Sequence, residues 1–152
     1  MLWVSADPGC GKSGLARHLI DSVLRTTESR TVCYFFFKDG FEEQKHMIDA
    51  LRCILHQLFT LKPALLFEAI LRQFEVGGET STSSFYELWR ILTQAAEDRN
   101  AGEIICLLDA IDECGDRGSQ LTKELCKLYG DGKHCTEFEA EISPHKSALR
   151  RD

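Results

Sequence analysis

The 152-residue sequence contains no apolar run near the ~18 residues that a membrane-spanning helix requires, so a transmembrane anchor is not expected. It has no basic flank before its first apolar residues, Met1-Leu2-Trp3-Val4, and these run straight into a polar, Gly-rich turn, unlike a secretory signal. The expectation is a soluble, cytoplasmic chain with no membrane partner. Basic residues are in deficit, 18 Lys and Arg against 24 Asp and Glu, for a net charge of -6. That balance argues against a nucleic-acid backbone or an anionic membrane as partner, because both select basic surfaces. Seven cysteines are present, but the number is odd and no C-x-x-C pair occurs, which argues against a disulfide framework or a zinc site. Cys33 and Cys106 lie inside apolar runs and read as small buried hydrophobes. No internal repeat is visible. What remains is a globular balance of 43% hydrophobic and 28% charged residues, at a length that fits one domain.

The order of segments predicts an α/β protein. Leu2-Trp3-Val4 reads as a short buried strand, followed by a turn at Asp7-Pro8-Gly9. Leu15, Leu19 and Val23, with Ala16, Ile20 and Leu24, then form one broad apolar helix face. Thr31 to Phe37 is β-branched and aromatic, predicting a strand covered on both faces. Met47, Leu51, Ile54, Leu55 and Leu58 share a helix face that Pro63 ends, and Leu65 to Phe74 suggests a further short helix. Residues 77–84, Gly-Gly-Glu-Thr-Ser-Thr-Ser-Ser, predict a loop. Ser84 and Glu87 form a capping box, opening a helix that carries Phe85, Leu88, Trp89, Leu92 and Ala96. Ile104 to Leu108 predicts a third buried strand ending at Asp109, and a last helix spans about Gln120 to Tyr129. Strands alternating with helices imply a parallel sheet covered by helical layers. From His134 onward neither period holds; 136–142 alternates weakly, but with charged partners. The predicted division is a domain over 1–133 and a tail over 134–152.

The sharpest signal is Ala6-Asp7-Pro8-Gly9-Cys10-Gly11-Lys12-Ser13, between a predicted strand and a predicted helix. Phosphates need converging backbone N–H donors, which a Gly-rich turn feeding a helix supplies. Gly9 and Gly11 let the backbone curl without a Cβ in the way. The donors come from Gly9, Cys10, Gly11, Lys12 and Ser13, since Pro8 has no N–H. Lys12 would reach the β- and γ-phosphates of ATP or GTP, and the Ser13 hydroxyl would ligate Mg²⁺. Ala6 stands where the strict pattern has its first glycine. A coincidental strand-to-helix turn is the plain alternative, and the correct context on both sides weighs against it.

Phosphoryl chemistry needs a second anchor for the metal, and Asp109 at the tip of the Ile104–Leu108 strand fits that role. Asp112 and Glu113 follow within one turn, where either carboxylate could polarise an attacking water. A solvated acidic turn would look similar taken alone; the loop upstream is what gives the carboxylates a phosphate to act on.

Three blocks, residues 2–13, Tyr34-Phe35-Phe36-Phe37-Lys38-Asp39, and Leu107-Leu108-Asp109-Ala110-Ile111-Asp112-Glu113-Cys114, resemble the NACHT-type NTPase domain of fungal NOD-like receptor proteins. That domain is also described as a nephrocystin-like N-terminal P-loop region. The resemblance covers about Met1 to Lys133. It implies a P-loop NTPase fold, a three-layer sandwich around a parallel sheet, working as a nucleotide-controlled switch that self-associates with homologous NACHT domains. It gives Gly9 to Ser13 to the phosphates, Asp109 to Mg²⁺, and the water to Asp112 or Glu113. Gly14 departs from the apolar residue usual after the Ser. The family sheet continues with a strand ending in a Thr-Ser-Arg-Pro-like stretch, which this sequence lacks, along with a winged-helix lid and repeats. The expectation is therefore a truncated copy, incomplete at its C-terminal side, with weak or no NTP hydrolysis. Two other functions compete. One is a non-enzymatic fragment docking to full-length homologues. The other is a small P-loop kinase, disfavoured because no Arg-rich lid follows.

Overall fold

The structure, a computed structural model, describes residue 4, residue 7, residues 9–115 and residues 119–129. Its order is α1 (Lys12–His18, continuing as a π-helical turn over Leu19–Val23), β1 (Arg30–Phe36), α2 (Met47–Leu61), α3 (Glu68–Ser83), α4 (Phe85–Ala96), β2 (Glu103–Asp109) and α5 (Ser119–Tyr129). β1 and β2 pair in parallel, from Arg30 opposite Glu103 to Phe36 opposite Asp109. The mixed α/β class read from the sequence is what the chain adopts.

The core follows from two strongly amphipathic helices. Met47, Ala50, Leu51, Ile54, Leu55 and Leu58 recur at three- and four-residue spacing on α2, and all are buried. Phe85, Leu88, Ile91, Leu92 and Ala95 do the same on α4. α2 packs on both β1 and α4, so Cys33, Phe35 and Phe37 meet these two apolar stripes in one cluster. Phe35 and Phe37 stack edge to face, with centroids 5.0 Å apart.

The two edges of the strand pair differ. Phe37 N–H donates to Asp109 C=O at 3.0 Å and Glu103 N–H to Ser29 C=O at 2.8 Å, so the odd-numbered residues of β1 turn their backbone groups toward β2. The even-numbered residues turn outward, and side chains close that edge. Tyr34 N–H donates to Gln57 Oε1 at 3.1 Å, while Gln57 Nε2 donates to Tyr34 C=O at 2.8 Å. Val32 N–H donates to Thr26 Oγ1 at 3.1 Å. A side-chain amide thus stands where a further strand would pair, which blunts the edge. The outer edge of β2, carrying Ile104, Cys106 and Leu108, pairs with no strand among the described residues.

Several expectations are corrected. Two strands are described where three were expected: Leu2 and Trp3 lie outside the described residues, and Val4 is exposed and in no strand. The loop expected over 77–84 is largely helical. α3 runs through to Ser83 across a kink at Gly78, whose φ of 50° and ψ of -134° no helix accommodates. Glycine supplies that break, and the chain resumes helical geometry beyond it. Ser84 is the N-cap of α4, but its side chain makes no capping bond. The Glu87 carboxylate instead accepts from Arg90 Nη2 at 2.5 Å, an ion pair one turn further on. Cys33 is buried as expected, whereas Cys106, its register partner on β2, is exposed.

Coverage of the sheet is also lopsided. Tyr34, expected to be covered, is exposed, and Phe36 is half-buried beside it. α1 buries only Ala16, leaving Leu15 and Val23 exposed. A π-turn contributes to this: Leu24 N–H bonds back five residues to Leu19 C=O at 2.6 Å, which rotates the downstream side chains out of the four-residue stripe. Between this segment, β1 and α2 runs an open groove of about 550 Å³, floored by Ile20, Leu24, Val32 and Leu61. The tail expected over 134–152 lies outside the described residues.

Candidate phosphate-binding site

The loop ahead of α1 has the backbone its sequence calls for. Gly9 and Gly11 sit at φ of 83° and 89°, left-handed values that an L-residue adopts only with strain. A Cβ at either position would meet nothing within 4 Å, so the requirement is conformational and the loop stands open to solvent. Gly11 is the N-cap of α1, and Leu15 N–H bonds its carbonyl at 2.9 Å, starting the helix. The Asp7 carbonyl gathers the donors inside the loop: Cys10 N–H at 3.3 Å, Cys10 Sγ at 2.8 Å and Lys12 Nζ at 3.1 Å. Lys12 is thus folded back over its own loop. Ala6 and Pro8 lie outside the described residues.

Ser13, in the first turn of α1, lines a cavity of about 270 Å³ with Arg17, Ile20, Asp21, Tyr34 and Phe36. Phe36 is the register partner of Asp109, so Ser13 and Asp109 lie at the same end of the strand pair. α1 packs over β2, which accounts for that placement.

Asp109 closes β2 and is half-buried, its carbonyl held by Phe37 N–H. Ala110 follows at φ 56° and ψ 44°, the only non-Gly residue with positive φ among the described residues. This left-handed residue reverses the chain into a 3₁₀ turn, Ile111–Glu113, pinned by Ile111 in the core. Glu113 N–H and Cys114 N–H bond back to Ala110 and Ile111 at 2.9 and 3.1 Å. Asp112 and Glu113 are both exposed on this turn. Glu113 reaches across to the start of the β1–α2 loop, where Asp39 N–H donates to its Oε2 at 3.2 Å. The turn therefore brings Asp109 and Glu113 to the tips of β1 and β2. Sequence reasoning reached this loop only as the Lys38-Asp39 end of a block that carries the family resemblance, and did not find its contact with the turn at Glu113.

What the structure offers toward a phosphate is a loop backbone turned by two glycines at positive φ, leading directly into α1 with Lys12 beside it.

Comparison with known proteins adds three findings. Residues 1–138 match the family model described as nephrocystin 3, N-terminal. A similar curated protein is vegetative incompatibility protein HET-E-1 of Podospora anserina, 26% identical over 117 residues. The match covers 75% of this chain and 9% of that protein, so the chain spans a small part of its relative's length. No solved structure matches the chain.

Proposed function

This chain belongs to the nephrocystin 3 N-terminal family, and on that premise we propose that it is a nucleotide-binding switch domain of NACHT type, from a signalling protein of the NOD-like receptor kind. The observation that carries the reading is the loop with glycines at positive φ, leading into Lys12 and Ser13 at the Asp109 end of the sheet. Gly9 to Ser13 offer backbone donors to the phosphates of ATP or GTP, with Cys10 N–H first leaving its bond to the Asp7 carbonyl. Lys12 leaves the Asp7 carbonyl to pair with phosphate charge. The Ser13 hydroxyl and the Asp109 carboxylate would hold Mg²⁺, which when bound neutralises charge on the phosphates. Asp112 and Glu113 are the carboxylates available to orient a water. The P-loop NTPase fold is part of this proposal, and the relation to a vegetative incompatibility protein supports a role in fungal signalling.

Thermal unfolding with and without Mg²⁺ and ATP, run beside Lys12→Ala, tests it. Nucleotide at ~100 times its dissociation constant adds about 2.7 kcal/mol of stability, several degrees for a domain of this size. An equal shift in the parent protein and in Lys12→Ala would sink the assignment.

The outer edge of β2, which pairs with no strand among the described residues, favours a second reading, a non-enzymatic module that docks to homologous chains. Binding to such a chain that ignores added nucleotide would favour it over the first.

A further inference from the structure

The β1–α2 loop, residues 37–46, is fastened to the turn that carries the acidic residues. Within itself it is closed by Phe41 N–H to Lys38 C=O at 3.1 Å, Gln44 N–H to Phe41 C=O at 2.9 Å and Lys38 N–H to Gln44 C=O at 2.9 Å. Two hydrogen bonds then cross to the turn: Asp39 N–H to Glu113 Oε2 at 3.2 Å, and Gly115 N–H to Lys45 C=O at 2.8 Å. The approach at Gly115 is close enough that a Cβ there would lie 3.2 Å from Lys45 Cγ and 3.6 Å from His46 Cε1. A glycine lets the stem of Lys45 lie on the turn. The head of Lys45 turns back over the loop, 4.0 Å from the Asp39 carboxylate and 3.7 Å from that of Glu42. His46 Nε2 also faces Glu42, at 3.8 Å.

This arrangement treats the two candidate carboxylates differently. One oxygen of Glu113 is bonded from a neighbouring loop, which fixes the side chain's direction and leaves the other oxygen available. A group that acts on a water is useful when a third group orients it in this way. Lys45 adds charge balance. Asp39, Glu42, Asp109, Asp112 and Glu113 crowd one end of the sheet, and the Lys45 ammonium is the cation set between the first two. Without it, the Asp39 carboxylate would repel Glu113 and loosen the loop whose N–H holds it.

We propose that Glu113, and not Asp112, orients the attacking water, and that Lys45 is its positioning residue, acting through Asp39 and the β1–α2 loop. The proposal rests on the reading of the loop before α1 as a nucleotide site. In the step concerned, a water attacks the terminal phosphoryl group, its O–P bond forms as the bond to the leaving diphosphate breaks, and Glu113 orients the water and takes its proton, which then passes to the phosphate released.

The test measures ATP affinity by calorimetry and phosphate release with Mg²⁺ and ATP, for the parent chain, Asp112→Asn, Glu113→Gln, Lys45→Met, Lys45→Arg and the Lys45→Met/Glu113→Gln pair. Glu113→Gln is expected to lower kcat by about 100-fold or more, the scale of a general base, with ATP affinity retained. Lys45→Met should lower kcat by about tenfold, the scale of an outer-shell partner, again with affinity retained, and Lys45→Arg should restore most of it. The paired variant should be no slower than Glu113→Gln alone, because Lys45 acts only through the group already removed. A larger loss in Asp112→Asn than in Glu113→Gln overturns the proposal, as does a Lys45→Met loss that persists on top of Glu113→Gln. ATP binding without phosphate release in the parent overturns it too and leaves the nucleotide site standing, whereas no ATP binding overturns the site itself.

Discussion

Gly102 gives the most direct test of how the strand pair is built. It precedes β2 at φ 63°, and a Cβ built there would lie 2.5 Å from the Ser29 carbonyl oxygen, 3.1 Å from the Ser29 carbonyl carbon and 3.3 Å from Lys62 Nζ. Both backbone atoms belong to the residue whose oxygen accepts the first hydrogen bond of the ladder, from Glu103 N–H at 2.8 Å. In Gly102→Ala the methyl must push the Ser29 carbonyl away from that bond. The left-handed backbone alone costs an L-residue about 1–2 kcal/mol, and forced repacking adds roughly 1–3 kcal/mol. The Lys62 ammonium, which caps the preceding turn through Ala101 C=O at 2.5 Å, stands on the other side of the new methyl and blocks an easy escape. The expected loss is therefore about 2–5 kcal/mol, or roughly 4–20 °C in melting temperature at 2–4 °C per kcal/mol. Urea titrations followed by circular dichroism measure it, with Gly40→Ala as control, since a Cβ at Gly40 meets nothing within 4 Å. A Gly102→Ala protein that melts with the Gly40→Ala control would refute the account of the ladder's start.

Three further outcomes follow from the same geometry. Ala110→Gly should change stability by less than about 1 kcal/mol, because relief of a left-handed alanine offsets the added chain entropy. Ala110→Val should lose roughly 2 kcal/mol, since a β-branched residue tolerates that backbone worst; paired urea curves decide. Gln57→Ala strips both side-chain bonds from Tyr34, and should cost about 1–2 kcal/mol while opening the β1 edge to self-association that light scattering detects. Cys33 is pushed up to about 12 from an ordinary 9.0, chiefly by burial and secondarily by the nearby Cys106 and Cys53 thiols. A folded value above the unfolded one means the contribution is whole below pH 9.0 and lost as pH rises toward 12. Stability should fall across that window, the fall should shrink in Cys33→Ala, and a thiol reagent at neutral pH should label exposed Cys10 well before Cys33.

Legibility tracked how much of each element's pattern was set by its own residues. α2 and α4 were readable because six and five buried positions repeat at helical spacing. β1 and β2 were readable from β-branched and aromatic runs, within a residue at each end. The stretch 77–84 misled because a string of Gly, Ser and Thr has weak preferences of its own, so a single left-handed Gly78 was enough to let α3 kink and continue. The capping box misled for a related reason: Glu87 had a competing partner in Arg90, and a spacing rule does not see the competition. At the site, the glycines of the loop were legible because positive φ is a demand that few other residues meet. Ala110 was not, because nothing in an alanine advertises a left-handed backbone.

The uneven edges of the sheet tie fold to function. Among the described residues only the β1 side is blunted, by Gln57 and Thr26 bonding the backbone of Tyr34 and Val32. On the β2 side the described residues leave backbone groups of Ile104, Cys106 and Leu108 facing outward, beneath a helix whose Leu15 and Val23 are also uncovered. The phosphate loop begins that same helix, and Asp109 ends that same strand. A strand added on this side would pair with β2, which ends in Asp109 and against which α1, with Lys12 and Ser13, packs. If nucleotide at the candidate site changes affinity at the β2 edge, an occupant of that edge changes nucleotide affinity by the same factor.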